Sequence, residues 1–113
     1  MEFKLILLAA LSALIGSIGQ IEFKLGSEAL KFDIPTLFLN YHLLVGLLLY
    51  AISTLIYIYV LSQERLSIIY PIIATSYIWT TIFAKIFLNE PVDMTNWIGI
   101  ALILLGVTII SWK

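Results

Sequence analysis

The sequence predicts an all-α membrane protein: a bundle of four transmembrane helices that forms one integral membrane domain over residues 1–113. The 113 residues are 62% hydrophobic and only 12% charged, whereas a soluble domain is about half apolar and a quarter charged. The charges cluster and leave four continuously apolar runs, which disfavours the alternating pattern of a membrane β-barrel. Six Lys and Arg residues in all are too few to bind a nucleic acid, so we expect no nucleic-acid partner.

The first and second spans are predicted at about residues 5–22 and 36–62. They rest on uncharged runs of 17 and 30 residues, and about 20 apolar residues cross the hydrocarbon core. The first run has features of a signal peptide, but Glu2 and Lys4 cancel in its n-region and its removal would leave an odd three spans, so we expect a retained helix. Pro35 suits the opening of the second helix.

The third and fourth spans are predicted at about residues 66–88 and 94–112, over two uncharged runs of 19 residues each. The connections before them, residues 63–65 and 89–93, are so short that successive helices must lie antiparallel and adjacent. Pro71 predicts a local kink or a helix start within the third span.

The Lys and Arg residues do not favour either orientation in the membrane. Each side of the predicted bundle carries three of them: Lys4, Arg65 and Lys113 on one side, and Lys24, Lys31 and Lys85 on the other. This balance permits insertion in both orientations and an antiparallel homodimer. It is equally compatible with a partner subunit or a lipid that decides the orientation.

A four-helix bundle of this size has little interior for a solute path, so we expect a transporter of this kind to dimerise. The fourth span offers a surface for the dimer in Gly99, Leu102 and Gly106, because small residues on one helix face let two backbones approach closely. Packing of the same face within one chain is the alternative, and the sequence does not decide between them.

Two helix faces collect polar side chains, and buried polar groups in a membrane are costly enough to mark functional sites. On the first span the predicted substrate-binding residues are Ser17, Gln20 and Lys24. On the third span they are Tyr70, Tyr77, Thr81 and Lys85. Both faces are predicted to line a cavity, with the lysines near one membrane surface, where they suit a phosphate or another anion. The alternative for each lysine is that its ammonium group extends to the lipid phosphates.

Two other ionisable residues lie within or beside the spans. Glu22 falls on the opposite face of the first helix from Gln20, and His42 is a candidate proton carrier that an amphipathic role near the interface explains equally well. Metal-ligand spacing, nucleophile motifs and phosphate-binding glycine loops do not occur in the sequence. We therefore predict no enzyme activity, no cofactor and no metal site.

Motifs of the third and fourth spans resemble the drug/metabolite transporter superfamily and its four-helix small multidrug resistance branch, an EamA-like pattern. The resemblance rests on Tyr70-Pro71, on Leu-Asn-Glu-Pro-Val at residues 88–92, on Trp97-Ile98-Gly99 and on Gly106-Val107. The multidrug exporters carry a glutamate midway along the first helix, a place that Gly16 occupies here. This departure argues against proton-coupled export of cations.

The first helix is more similar to the small subunits of the aminoarabinose-phosphoundecaprenol flippase, in which a Gly-Gln pair precedes a lysine by about one turn. Gly19, Gln20 and Lys24 match that pattern, and Trp79 and Thr81 match in the third helix, whereas the family's basic residue lies about one position beyond Lys85. The resemblance implies a multi-pass protein of the cytoplasmic (inner) membrane, in contact with membrane lipids. It also implies a homodimer, or a heterodimer with a related four-helix subunit, that flips a polyprenyl-phosphate-linked sugar. The alternative is an exporter of organic cations or small metabolites, coupled to protons through His42 or Glu22.

Overall fold

The computed structural model describes residues 3–111, which form helices and connecting segments without any strand. In chain order the helices are α1 (Phe3–Ser27), α2 (Ile34–Leu39), α3 (Tyr41–Gln63), α4 (Leu66–Ile73), α5 (Ser76–Phe87) and α6 (Met94–Ser111). The all-helical class is thereby confirmed. Glu2, residue 112 at the end of the predicted fourth span and Lys113 lie outside the described residues.

The central element is α1, which packs against α3, α4 and α5, whereas α6 packs against α4. A small apolar core of Ala9, Val60 and Ile69 ties α1, α3 and α4 together near the start of α1. Most large apolar side chains lie on the outer surface and few in the interior. Lipid tails solvate such a surface, and small residues inside let the helices approach closely.

The second predicted span is divided at Asn40 into α2 and α3. The Asn40 side-chain oxygen accepts from the Leu43 backbone N–H at 3.2 Å, and its amide nitrogen donates to the Gly26 carbonyl at the end of α1 at 2.9 Å. Asparagine competes in this way with the helical backbone bonds, so it starts a new helix and turns the chain. The helix start predicted from Pro35 is the start of α2, where the Asp33 carboxylate accepts from the Thr36 N–H at 2.8 Å.

The third predicted span is interrupted at Ala74 and Thr75, between α4 and α5. Pro71 lies inside α4 and cannot donate a hydrogen bond to the carbonyl one turn back. The interruption lies three residues beyond Pro71, on its C-terminal side, so the helix start or kink predicted at Pro71 is found as an interruption of the same span at Ala74 and Thr75. Taken together, residues Leu66–Phe87 are still long and apolar enough to cross a membrane.

Three helical segments meet the length and hydropathy that a membrane span needs: Phe3–Ser27, Tyr41–Gln63 and Leu66–Phe87. The fourth, Met94–Ile110, is a shorter apolar helix, and the full 18 residues of α6 extend about 27 Å at 1.5 Å per residue. Its start is capped reciprocally, because the Asp93 carboxylate accepts from the Asn96 N–H while the Asn96 side chain accepts from the Asp93 N–H.

The contact between α1 and α3 is the closest in the bundle. A Cβ atom on Gly46 would lie 2.8 Å from the Phe23 ring, and one on Gly26 would lie 2.9 Å from the Leu43 nitrogen. A Cβ atom at Gly26 would require a shift of the α3 backbone, and one at Gly46 would require the Phe23 ring to move. The two backbones therefore run in contact over most of their length, and α1 and α3 form a single support for the groove described next.

Candidate functional site

A groove of about 260 Å³ lies between α1, α3 and the interrupted pair α4–α5, and it is open to the outside. Its lining is dominated by small and hydroxyl-bearing side chains: Ser12, Ala13, Gly16, Ser17, Gln20, Tyr50, Ser53, Thr54, Tyr57, Tyr70, Ile73, Ser76 and Thr80. We call this cavity the polar groove.

The α1 wall of the polar groove includes two of the residues predicted from the sequence, Ser17 and Gln20. The Ser17 side chain is almost fully buried, and its hydroxyl lies 2.8 Å from the Ala13 carbonyl and 3.3 Å from that of Ser76. It therefore links α1 to the start of α5. Gln20 is exposed on the same wall, where its amide can both donate and accept hydrogen bonds.

The α3 wall was not predicted. Its polar side chains share one helix face, at spacings of three and four residues: Tyr50, Ser53, Thr54 and Tyr57. That spacing was the available signal, since i, i+3, i+4 and i+7 lie on one side of a helix. The Ser53 hydroxyl donates to the Ser12 carbonyl at 2.8 Å, and the Ser12 hydroxyl donates to the Ser53 carbonyl at 3.0 Å. This reciprocal pair fixes the register of the two walls.

The third wall contains the helix interruption. Tyr70, Ile73 and Ser76 flank it and line the groove. An irregular backbone within a membrane is tolerated where it lines a cavity or finds side-chain partners. Here the Thr75 hydroxyl donates to the Ile72 carbonyl at 2.6 Å, and Ser17 approaches the Ser76 carbonyl. The interruption thus places main-chain polar groups beside the groove.

The polar groove is polar without being charged. The described residues that line it include no Asp, Glu, Lys, Arg or His; they carry hydroxyl, amide, phenol and apolar side chains. Such a surface suits a neutral group with many hydroxyls, because each hydroxyl can donate and accept. It offers no counter-ion to a bound cation.

Four of the predicted substrate-binding residues lie outside the groove lining. Tyr77 lines a neighbouring cavity between α4–α5 and α6, and the Thr81 hydroxyl donates to the Tyr77 carbonyl of its own helix at 2.7 Å. Thr80 occupies the groove instead. Lys24 and Lys85 are exposed in the last turns of α1 and α5, and these two helices run in the same direction. Both lysines therefore lie toward one end of the bundle.

The residues predicted for a dimer interface lie on an open face of α6. A Cβ atom on Gly99 or Gly106 would meet nothing within 4 Å, and 63% of Leu102 is exposed. The face that packs within the chain is a different one, with Ile100 buried and with Ile103 and Val107 beside α4. Among the described residues, none packs closely against Gly99 or Gly106.

Comparison with known proteins places these features in context. The EamA-like transporter family matches residues 2–112. A probable 4-amino-4-deoxy-L-arabinose-phosphoundecaprenol flippase subunit, ArnE, of Pseudomonas syringae pv. syringae is 32% identical over 99 residues, which cover 87% of this chain and 92% of the relative. Proteins of the same description from Yersinia pestis and Yersinia pseudotuberculosis are each 30% identical over 61 residues, or 54% of either chain.

No solved structure matches the chain. The resemblance stated from the first and third helices is confirmed by the family match and by these relatives.

Proposed function

The chain belongs to the EamA-like transporter family, and from that membership we propose that it flips a polyprenyl-phosphate-linked sugar across the cytoplasmic membrane. As a member of this family it is a multi-pass transporter of the inner membrane and not an enzyme. The relatives are named as subunits of a flippase for 4-amino-4-deoxy-L-arabinose-phosphoundecaprenol. That lipid joins an amino sugar to a polyprenyl chain through a phosphate.

The observation that carries the proposal is the polar groove, an uncharged, hydroxyl-lined cavity within an otherwise apolar bundle. A sugar that leaves water needs a new hydrogen-bond partner for each hydroxyl, since a buried polar group without one costs about 1–3 kcal/mol. Gln20 can both donate and accept, whereas the Ser53 and Thr54 hydroxyls already donate to the carbonyls of Ser12 and Tyr50 and offer acceptor lone pairs. Because the groove is open to the outside, the polyprenyl chain stays in the bilayer while the sugar moves along the protein.

Lys24 and Lys85 are proposed to hold the phosphate at the end of this path. Each ammonium group supplies three donors, and hydrogen bonds between ionised partners are stronger than neutral ones. Both side chains are exposed, as a first contact with a lipid head group requires. Lys24 shares a helix face with Ser17 and Gln20, so a phosphate bound there leads the sugar toward the groove. Tyr77 and Thr81 are proposed to contact the sugar only after the third span moves.

The working unit is proposed to be a dimer, either of two copies or with a related four-helix subunit. The open face of Gly99, Leu102 and Gly106 supports this, because close helix packing in membranes uses small residues. A second subunit would close the path that one short bundle leaves open. The described residues suggest no energy source in the groove, so we propose downhill flipping that is driven by consumption of the lipid on the far side.

Organic-cation export, the alternative from the sequence, is not supported by the groove. Its lining contains no carboxylate among the described residues, and Gly16 stands where the exporters carry their glutamate. A cation in this groove would lose its hydration without gaining a counter-ion, which is unfavourable.

The test is a flipping assay in proteoliposomes with a fluorescent polyprenyl-phosphate sugar. We expect Lys24→Ala to slow flipping by about tenfold or more, since a charge-assisted hydrogen bond contributes about 1.5–3 kcal/mol. Lys31→Ala is the matched control, because Lys31 is an exposed lysine of the connecting segment at the same end. Equal rates for wild type and Lys24→Ala, with normal expression and assembly, would refute the phosphate-binding role.

A further inference from the structure

A second cavity, of about 310 Å³, lies between the last turns of α1 and α5 and shares no lining residue with the polar groove. Its lining is apolar and aromatic except for one carboxylate: Ile18, Ile21, Glu22, Leu25, Phe83 and Phe87. We call it the Glu22 pocket. The function proposed above gives it no role.

Glu22 is an unusual residue for this position, since an ionised group within a membrane helix is costly and marks a functional site. Its side chain is 21% exposed, and its Oε2 lies 2.6 Å from Nδ1 of His42 at the start of α3. An ionised carboxylate only accepts hydrogen bonds and has about four acceptor sites on its two oxygens. His42 therefore uses only part of the capacity of Glu22.

The opposite wall of the Glu22 pocket is aromatic. Phe83 stacks on Trp79 with ring centroids 6.1 Å apart, and Phe87 follows Phe83 at 6.0 Å, so the three rings form a continuous row along α5. Aromatic faces attract ammonium groups, and this attraction grows when water is removed. An apolar cavity lined by one carboxylate-bearing residue and two phenyl rings is therefore chemically suited to a primary amine on an apolar carrier.

We infer that the Glu22 pocket binds the primary ammonium group of a lipid, with the ammonium and His42 competing for the Glu22 carboxylate. This inference rests on the function proposed above, because the lipid for which the relatives are named, a polyprenyl-phosphate-linked sugar of the class proposed there, carries an amino group on its sugar. Glu22 would then be the residue that distinguishes an amino-sugar lipid from a neutral one. An ethanolamine phospholipid carries the same chemical group and is the other possible source of the ligand.

The first experiment measures binding of a simple probe, hexylammonium, with hexanol as its neutral counterpart. The protein is placed in nanodiscs of phosphatidylcholine and phosphatidylglycerol, which lack primary amines, and binding to empty nanodiscs is subtracted. We expect wild-type protein to bind hexylammonium about tenfold more tightly than hexanol. Only the ammonium group can form an ionic hydrogen bond with the Glu22 carboxylate, and one such bond is enough for a difference of this size. Equal binding of the two probes would overturn the inference.

Variants of the two residues of the Glu22–His42 pair distinguish a ligand site from a contact that only joins α1 to α3. Glu22→Gln keeps the shape and removes the charge, so we expect the preference for hexylammonium to disappear. His42→Phe removes the ring nitrogen that pairs with Glu22 but leaves the carboxylate, so we expect hexylammonium to bind as tightly as in wild type or more tightly. Glu28→Gln, which removes an exposed carboxylate just beyond this end of α1, is the control and should change nothing. Equal weakening by the Glu22 and His42 variants would show a structural link and overturn the inference.

The source of the amine is identified by displacement. Displacement of bound hexylammonium by phosphatidylethanolamine added to the nanodiscs would assign the pocket to a phospholipid head group. Displacement only by an amino-sugar polyprenyl phosphate would assign it to the proposed substrate. Displacement by neither lipid would overturn the inference that the natural ligand is a lipid amine.

Flipping of paired substrates separates this inference from the function on which it rests. Wild-type protein should flip an amino-sugar lipid faster than the same lipid with a hydroxyl in place of the amine, and Glu22→Gln should flip both at similar rates. An unchanged preference in Glu22→Gln would overturn the role of Glu22 while leaving the flippase intact. Wild-type protein that flips neither lipid would refute the flippase, and the hexylammonium experiment would still decide whether the amine site exists.

Discussion

The glycines of α1 and α3 and those of α6 have opposite surroundings. At Gly26 and Gly46 an added Cβ atom would collide with a neighbouring helix, whereas at Gly99 and Gly106 it would meet nothing within 4 Å. One residue type thus has two kinds of surroundings in one small bundle. In the first region the absence of a side chain lets two helices of the chain come into contact, whereas in the second no described residue packs against the glycines, and this is the face proposed above for a dimer.

The largest effect that tests this contrast is expected from Gly46→Leu. The new side chain would overlap the Phe23 ring and force α1 from α3, and overpacking of this kind costs about 1–3 kcal/mol or more. Thermal unfolding in detergent, followed by circular dichroism, should show a clearly lower Tm. Gly106→Leu is the matched control on the open face. At a detergent and protein concentration at which both proteins are monomeric it should melt as wild type does, because loss of a partner subunit then makes no contribution to Tm; an equal loss in both variants would remove the contrast.

The second effect concerns the open face alone. The double variant Gly99→Leu and Gly106→Leu should weaken dimerisation by about tenfold or more, equivalent to about 1.4 kcal/mol, because the added side chains keep the two backbones apart. Native mass spectrometry at several protein concentrations measures it. Ala101→Leu, on another exposed face of α6, makes a similar change in size and should leave the dimer unaffected. Dimerisation that survives the double variant would place the interface elsewhere.

A smaller effect is expected from the reciprocal serine pair that fixes the register of α1 and α3. A double-mutant cycle with Ser12→Ala and Ser53→Ala should give a coupling free energy of about 0.6 kcal/mol, the usual size for interhelical hydrogen bonds in membranes. Steric-trap or denaturant unfolding measures it. Thr108→Val is the control on α6, where the hydroxyl donates to Leu104 of its own helix. Additive single effects would mean that the two serines do not act together.

The smallest effect lies in the segment that connects α1 to α3. Hydrogen bonds from the side chain and backbone N–H of Thr36 hold the pKa of the Asp33 carboxyl below its usual value. Because the pKa of Asp33 is lower in the folded chain than in the unfolded chain, the ionised cap stabilises α2 fully at pH values above the unfolded-state pKa. This stabilisation is lost as the pH falls through the folded-state pKa of Asp33. Hydrogen exchange of the Thr36 amide should therefore be faster in acid than the intrinsic pH dependence of amide exchange alone predicts. Asp33→Asn should abolish this dependence, and an unchanged profile would contradict the role of the cap.

The sequence predicted most of the fold because its signals are local. Long uncharged runs identify α1, α3 and α6, and Pro71 indicates the interruption of the third span. The division at Asn40 was missed, since its side chain acts through a contact with Gly26 at the end of α1. That contact depends on how α1 and α3 are packed, which a hydropathy pattern does not contain.

The candidate site was predicted in part for the same reason. Helix periodicity groups Ser17 with Gln20 on the first span and places Tyr70 on the polar face of the third span. The polar face of α3 from Tyr50 to Tyr57 has the same periodicity, so the sequence contains a signal for this wall as well. The pairing of Glu22 with His42 required the register between two helices, and only the three-dimensional structure supplies that register.

The most direct test of the proposed function is native mass spectrometry of the protein released from nanodiscs prepared with native lipid. We expect a dimer that retains a mass equal to a polyprenyl phosphate bearing a sugar, and that loses this mass in Lys24→Ala. A dimer that carries no such lipid and binds small organic cations instead would contradict the flippase and favour an exporter.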